Sequence, residues 1–595
     1  MLKLFNIFII ILSVLCMACS STEDLTGQSD KQSKTKTTLG TVNDSDVVVP
    51  PPKVLVDSDT SSDDKSPVQV VQQPENPIEP EIRKPAPFSS ETKPQPPQEE
   101  PPEIPPPAEN PEVHIPHVAA DPKDVTATEI NEELNQPDSP VEPVEYTESI
   151  TIGDTVIQVK TIQNGPSPVY IALHENEKDA SLAGQWAARV FGGTYYGLIH
   201  EGTRNIRFHI DGEKYKFDPN RIFTDDGRRQ TLQDRNLNKP NLTKFDQALE
   251  KVEEFSKKLI KFSKLDEALL VVSLHNNTKG RPLTIDHFED VVIANDVHKN
   301  NNTSKDDFYI VTERSHFDSL ADDQHNVILQ HPIDAKDDGS LSYFRGSIKK
   351  AYINIETVHQ GLLSQKEMIR HLFEKDIGIS NATLYSSLNI QIDPITWNKK
   401  RAKLSIEYRQ KHSDKKADTF YIEPHMIVVH STAACTYQST FSTFDPVEYT
   451  GNNQKIKKGG KLNHSSHFVV DRNDPAPTIY QIMPEEFMGR HIVGFNDESI
   501  GIEVVGGTND CELTLAQALT TSKLIEYLLQ AYPTITHIIG HHEYEQVKNT
   551  SYFKALDREY QPWHKSDPGE QFMCELRSAM TVTLEPTNDC YNDQI

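Results

Sequence analysis

Long apolar runs, basic charge and, over one stretch, aromatic side chains are what this 595-residue chain lacks. Beyond the N-terminus no run of 18 or more apolar residues occurs, which excludes a polytopic membrane protein. Against 88 Asp and Glu stand 60 Lys and Arg, a formal net charge of −28. A protein that neutralises phosphates needs the opposite balance, so nucleic acid is excluded as a partner. Residues 20–145 have few aromatics, and 26 acidic against 9 basic residues leave a net −17 there. Of the 39 prolines, 23 lie between Pro50 and Pro143. Such a stretch cannot bury enough apolar surface to offset its ordering entropy. Roughly 450 residues remain for folding, which suits two domains at about 100–200 residues or somewhat more each.

The N-terminus reads as an address. Lys3, the apolar run Ile7–Leu15 and Cys16-Met17-Ala18-Cys19-Ser20 follow the order of a secretory signal. A cysteine just after Ala18 resembles a bacterial lipobox, with Cys16 where leucine is usual. The resemblance implies a signal peptide over 1–18, a diacylated Cys19 as mature N-terminus and a lipid anchor in the membrane. Ser20 resembles the signal for the outer membrane of Gram-negative cells, facing the periplasm. Residues 19–145 are expected to be a disordered Pro-rich acidic linker, polyproline II where proline is dense. As pure coil it spans ~60 Å, enough to hold an enzyme at high effective concentration beside an insoluble wall.

Over 146–395 strand and helix patterns alternate, which predicts an α/β fold with sites at strand carboxyl ends. Pro168–Leu173 is an apolar run ending in His174-Glu175-Asn176-Glu177, and Leu269–Leu274 is another ending in His275. Between them the spacing over Thr243–Lys264 predicts an amphipathic helix, with Thr243 and Asp246 as its cap. His174, Glu177 and His275 make a three-ligand zinc set with an open fourth position. Tyr352–Glu356 is a further apolar strand, and Glu356 is placed to act as general base. The order resembles zinc carboxypeptidases and the zinc amidases that split septal peptidoglycan. That resemblance implies zinc on His174, Glu177 and His275, catalysis by Glu356, and Arg221, after Asn220, gripping a substrate carboxylate.

The region 420–595 is richer in signal. Five segments deliver His430, the stretch Ser465–Arg472, His491, Glu503 and Gly540-His541-His542, and Lys565-Ser566-Asp567 closes the set. His430, His541 and Asp567 are again two imidazoles and a carboxylate, a zinc set with an open site. Glu503 ends an apolar strand, where a carboxylate needs a reason such as general-base work. Lys565, two residues from a ligand, can steady a developing oxyanion. Thr514 and Gln517 predict a capping box for a helix to Ala531. The motifs VHSTA, SSHFVVDR, IYQIMPEE, SIGIEVVG, GHHE and KSDPG resemble N-acetylmuramoyl-L-alanine amidases of the phage-lysozyme and peptidoglycan-recognition type. The resemblance implies zinc on His430, His541 and Asp567, catalysis by Glu503 and Lys565, and His491 and Asn496 at the substrate. Two departures stand out: 25 residues separate His541 from Asp567, and Ser466 stands where some members carry tyrosine. His542 competes with His541, and the Gly-His pair selects His541.

Cys435, Cys511, Cys574 and Cys590 allow three disulfide connectivities, among which sequence does not choose. The segment 390–420, with Trp397 and a basic stretch, fits either domain. The expectation is a lipid-anchored zinc hydrolase of peptidoglycan, cutting the amide between N-acetylmuramic acid and L-Ala, with a second zinc peptidase or amidase centre upstream. The alternative is a peptidoglycan-binding or sensor lipoprotein, and a purely structural tether predicts no zinc at all.

Overall fold

The apolar runs that precede His174, His275, Glu356, His430 and Glu503 become sheet strands. The computed structural model describes residues 143–587, apart from 237–243, 279–282, 289–293, 322–323, 331–334, 379–382 and 474. The signal segment, Cys19, the Pro-rich linker up to residue 142 and Cys590 lie outside the described residues. In chain order the first strands are β1 (Val144–Ile152), β2 (Thr155–Asn164), β3 (Val169–Ala172) and β4 (Gly193–Ile199). The hairpin β5 (Ile206–Ile210) and β6 (Glu213–Phe217) follows. Then come β7 (Leu270–Asn277), β8 (Asp296–His298), β9 (Phe308–Val311), β10 (Val327–Leu329) and β11 (Ala351–Val358). Apart from the hairpin they form a nine-stranded sheet in the order β1-β2-β4-β3-β7-β11-β9-β10-β8. At its centre β4, β3, β7 and β11 run parallel.

These central strands are buried on both faces, which is why they read as unbroken apolar runs. Val169, Ile171 and Val271 point to the helix Phe245–Phe262. Tyr170, Val272 and Leu274 point to the helices Lys178–Phe191 and Leu362–Glu374. The expected amphipathic helix is thus present. Its expected cap is not: Thr243 lies outside the described residues, and the capping position is Lys244, whose side chain makes no cap bond. Asp246 sits in the first turn, where the helix dipole favours an acid.

The second sheet holds β12 (Ile390–Ile392), β13 (Met426–Ser431), β14 (Phe468–Val470), β15 (Ile479–Gln481), β16 (Ser499–Val504) and β17 (His537–Gly540). Their order is β12-β15-β14-β16-β13-β17, with β14, β16, β13 and β17 parallel. The helix Leu515–Ala531 covers one face and carries the expected Thr514–Gln517 capping box. Residues 390–412 pack with this sheet. β12 pairs with β15, and the buried guanidinium of Arg401, on the helix Lys399–His412, holds the carbonyls of Thr396, Phe444, Asp445 and Pro446. The expected boundary at 395 therefore falls inside one structural segment. Cys435 and Cys511 form a disulfide.

One continuous core joins the two sheets through their covering helices. The indole of Trp186 donates to Tyr527 Oη at 2.8 Å, and Phe191 stacks on Phe373 at 4.3 Å. Within this contact the ammonium of Lys366 is buried among Glu485, Glu486 and Tyr532 Oη at 2.9–3.1 Å. Among the described residues no helix is long and apolar enough to cross a membrane.

Candidate metal centres

The first centre forms where β3 and β7 end side by side. His174 follows β3 directly, and a turn that closes Glu177 N onto His174 O brings Glu177 to the head of the next helix. His275 comes from β7. His174 Nδ1 lies 3.2 Å from His275 Nδ1 and 3.0 Å from Glu177 Oε1. His275 Nδ1 lies 2.9 Å from Glu177 Oε2. Donor bonds of about 2.0–2.1 Å in a tetrahedron put neighbouring ligand atoms about 3.3 Å apart, so this set fits a zinc-sized ion. All three residues are buried, and their donor atoms lie within 4.8 Å of one another.

Around them stands a supporting shell. Asp218 Oδ1 lies 2.8 Å from His174 Nε2 and fixes the ring orientation. Arg204 donates to Glu177 and also faces Asp218. Burial alone raises the Glu177 carboxyl, but His174, Arg204 and His275 hold it well below its ordinary range. Glu356 lies on β11 directly across from His275 in the parallel register. Burial, with Glu177 adding to it, raises the Glu356 carboxyl despite His275 and a 3.1 Å bond from Asn354. Arg221 stands at the rim, donating to Asn220 O at 2.6 Å, with its guanidinium 3.7 Å from Asp338. Asp218 and Arg204 were not singled out from sequence. Asp218 begins the DPNRIF stretch, yet its contact with His174 spans 44 residues and leaves no local trace.

The second centre repeats the arrangement at the carboxyl ends of β13 and β17. His430 Nδ1 and His541 Nδ1 each lie 3.3 Å from Asp567 Oδ2, and the three residues group as a possible metal site. His541 Nδ1 is buried and makes no hydrogen bond, which leaves its lone pair for an ion held with His430 and Asp567. The residues therefore fit an ion there as well. His542 instead receives the Asp567 backbone: its N–H donates to Asp567 O at 3.0 Å, so the two histidines divide the work. Glu503 lies across from His430 in the β13–β16 register, the relation Glu356 has to His275. Burial and Asp567 raise its carboxyl, against His430 and Lys565. Lys565 reaches the cleft wall with its ammonium 5.7 Å from the Trp563 ring.

These groups line a cleft of about 580 Å³. His491 lines it too and sits 3.0 Å from His430 Nε2. Asn496 also lines the cleft, and its amide has a further task there. Its Oδ1 accepts from the backbone N–H of His491 and Ile492, and its Nδ2 donates to Tyr408 Oη at 2.9 Å. With its amide engaged and 3% exposed, it positions His491. Ser466 is buried and donates to Phe468 O at 3.1 Å, away from the chemistry. The 25 residues between His541 and Asp567 supply Tyr544, Tyr560, Trp563 and Lys565 to the cleft wall. Arg490, buried beside His491, donates to Tyr560 Oη at 3.1 Å and ties that insertion to the segment between β15 and β16.

Residues 421–570 match the family described as N-acetylmuramoyl-L-alanine amidase. No curated protein matches the chain. Solved structures similar to it include the endolysin N-acetylmuramoyl-L-alanine amidase LysCS from Clostridium intestinale, 24% identical over 31% of this chain and 94% of that one, with a TM-score of 0.18. The endolysin of Thermus scotoductus bacteriophage Ph2119 is 21% identical over 22% and 82%, TM-score 0.17. Drosophila PGRP-LB is 13% identical over 23% and 86%, TM-score 0.16. The chain thus carries, over residues 421–570, a domain of the N-acetylmuramoyl-L-alanine amidase type.

Proposed function

We propose that the protein is a zinc-dependent peptidoglycan hydrolase that cuts the amide between N-acetylmuramic acid and the L-Ala of the stem peptide. The observation that carries this reading is the convergence of His430, His541 and Asp567 in one cleft, with Glu503 in register beside His430. Zinc held by such a set supplies Lewis-acid polarisation and an activated water. Glu503, its carboxyl raised by burial, takes the proton of the attacking water and returns it to the leaving L-Ala nitrogen. Lys565 faces the cleft and offsets negative charge growing on the amide oxygen. His491 and, behind it, Asn496 hold His430 in place.

The upstream centre belongs to the same proposal as a second zinc hydrolase site, with His174, Glu177 and His275 as ligands and Glu356 as base. Arg221 at its rim is suited to a peptide carboxylate. A lipid on Cys19 and the acidic linker would hold both centres near the wall, from the outer membrane and on the periplasmic side.

Purified sacculi digested by the full chain, by His430→Ala and by His275→Ala test the reading, with products identified by mass spectrometry. Stem peptides with a free L-Ala terminus are expected from the first and third proteins and not from the second. Loss of shortened peptides in His275→Ala alone marks the upstream activity. A protein that sediments with sacculi but releases nothing is a binding lipoprotein instead.

A further inference from the structure

The mouth of the second cleft carries a charge at odds with the rest of the chain. Between Tyr449 and Val470 there is no acidic residue, while Lys455, Lys457, Lys458 and Lys461 all fall there, on a protein of net charge −28. All four are exposed. They flank Ile456, whose side chain lines the cleft. Arg490 fixes the segment by donating to the carbonyls of Ile456 and Leu462, so the lysines stand on an ordered rim. Across the rim, Trp563 holds the ammonium groups of both Lys455 and Lys565 within 5.7 Å of its ring. The nearby acids are used elsewhere: Glu448 pairs with Lys400 at 3.1 Å and Asp557 with Lys411 at 3.2 Å. A fixed cluster of like charge beside a cleft attracts ligands of opposite charge and suppresses others.

We propose that this lysine rim is a subsite for the carboxylates of the stem peptide, so that the cleft selects free-acid muramyl peptides over amidated ones. The inference rests on the amidase reading of the cleft. A stem peptide is a short polyanion whose carboxylates lie several residues beyond the scissile amide. The rim adjoins the cleft through Ile456 and Trp563, which line it, and contributes no residue to the metal-donor set. Each exposed lysine contributes little alone, but three together change affinity by about tenfold. The rim acts on binding and leaves the chemical step unchanged, so it appears in KM rather than kcat.

The test compares the full chain with K457Q/K458Q/K461Q, all exposed positions away from the metal ligands. The substrates are a free-acid muramyl peptide and the same peptide with its carboxylates converted to amides. The wild-type KM is expected to be about tenfold lower for the free acid. In the variant the two KM values converge while kcat stays within twofold, and in wild type about 0.5 M salt closes the gap. Equal KM values in wild type, or a preference that survives in the variant, overturn the subsite. If wild type cleaves neither peptide, the amidase reading has failed, and calorimetric binding of the two peptides decides the rim separately. Tighter binding of the free acid by wild type alone supports it, and equal binding overturns it.

Discussion

His467 shows how much a residue can matter without touching substrate. Its Nδ1 accepts from Gly501 N at 2.9 Å and its Nε2 donates to Phe487 O at 2.8 Å. Both nitrogens are spoken for in the neutral ring, and a second proton would face the Gly501 N–H. Burial accordingly pushes its pKa down to about 4. A histidine with a lowered native pKa stabilises the fold above its unfolded value near 6.5. That contribution is lost as pH falls from about 6.5 towards 4, because the unfolded chain binds the proton first. A shift of this size amounts to about 3 kcal/mol. Urea titrations at pH 7 and pH 4.5 are therefore expected to show wild type losing more stability than His467→Gln, which keeps a donor and an acceptor. Equal losses would remove His467 as a source of acid sensitivity. Glu503 poses the complementary case of a carboxyl proposed to act in the chemistry. Glu503→Gln is expected to abolish amide cleavage while metal analysis still finds His430, His541 and Asp567 loaded, and loss of the metal would reassign Glu503 as a structural support.

At the scale of elements, both centres use one device: parallel neighbouring strands carry a histidine of the donor set and a glutamate at the same register. Glu356 faces His275 on β11 and β7, and Glu503 faces His430 on β16 and β13. This much was legible in sequence, because strands buried on both faces are plain apolar runs and the residue closing each run is conspicuous. The helix Leu515–Ala531 was equally legible, since a capping box is a local pattern, and Thr514→Ala is expected to cost about 1 kcal/mol in chemical denaturation. What escaped is non-local or ambiguous at short range. The supporting role of Asn496 is one case, because its bonds to the backbone at 491–492 and to the phenol at 408 leave no local pattern. β12 is three residues long and gains its identity only from β15, 89 residues downstream. Asp218 is the costliest omission, and its role is testable. Asp218→Asn keeps the shape but loses the charge on His174 Nε2, and removal of such a partner typically weakens metal binding 10–100-fold. Competition with a chelator is expected to strip the first centre of the variant at lower chelator concentration, leaving the second centre as in wild type.

The whole molecule raises a different question, because the two sheets meet over a buried charge cluster as well as over aromatic rings. Lys366 lies in the helix next to Gln365, whose amide donates to His275 O at 3.1 Å. Burial draws the Lys366 ammonium down, and Glu485 and Glu486 more than reverse this, so it stays charged. Glu485 is itself raised by burial and by the neighbouring Glu486, and only the lysine makes two adjoining carboxylates tolerable there. Gln481 donates to Glu485 and Tyr532 to Glu486, both at 2.8 Å. Removing one partner of such a cluster costs about 3–5 kcal/mol, because the charges left behind stay buried, whereas replacing all partners together is often close to neutral. Lys366→Met is therefore expected to be strongly destabilised, and Lys366→Met with Glu485→Gln and Glu486→Gln to recover most of the loss. The same pair of variants reports on how the halves are joined. If the cluster holds the shared core together, Lys366→Met splits a single thermal unfolding transition into two, and the triple variant restores one. A single transition in all three proteins would mean that the apolar contacts of Trp186, Phe191, Phe373 and Tyr527 couple the sheets by themselves, with the charges only filling space between them.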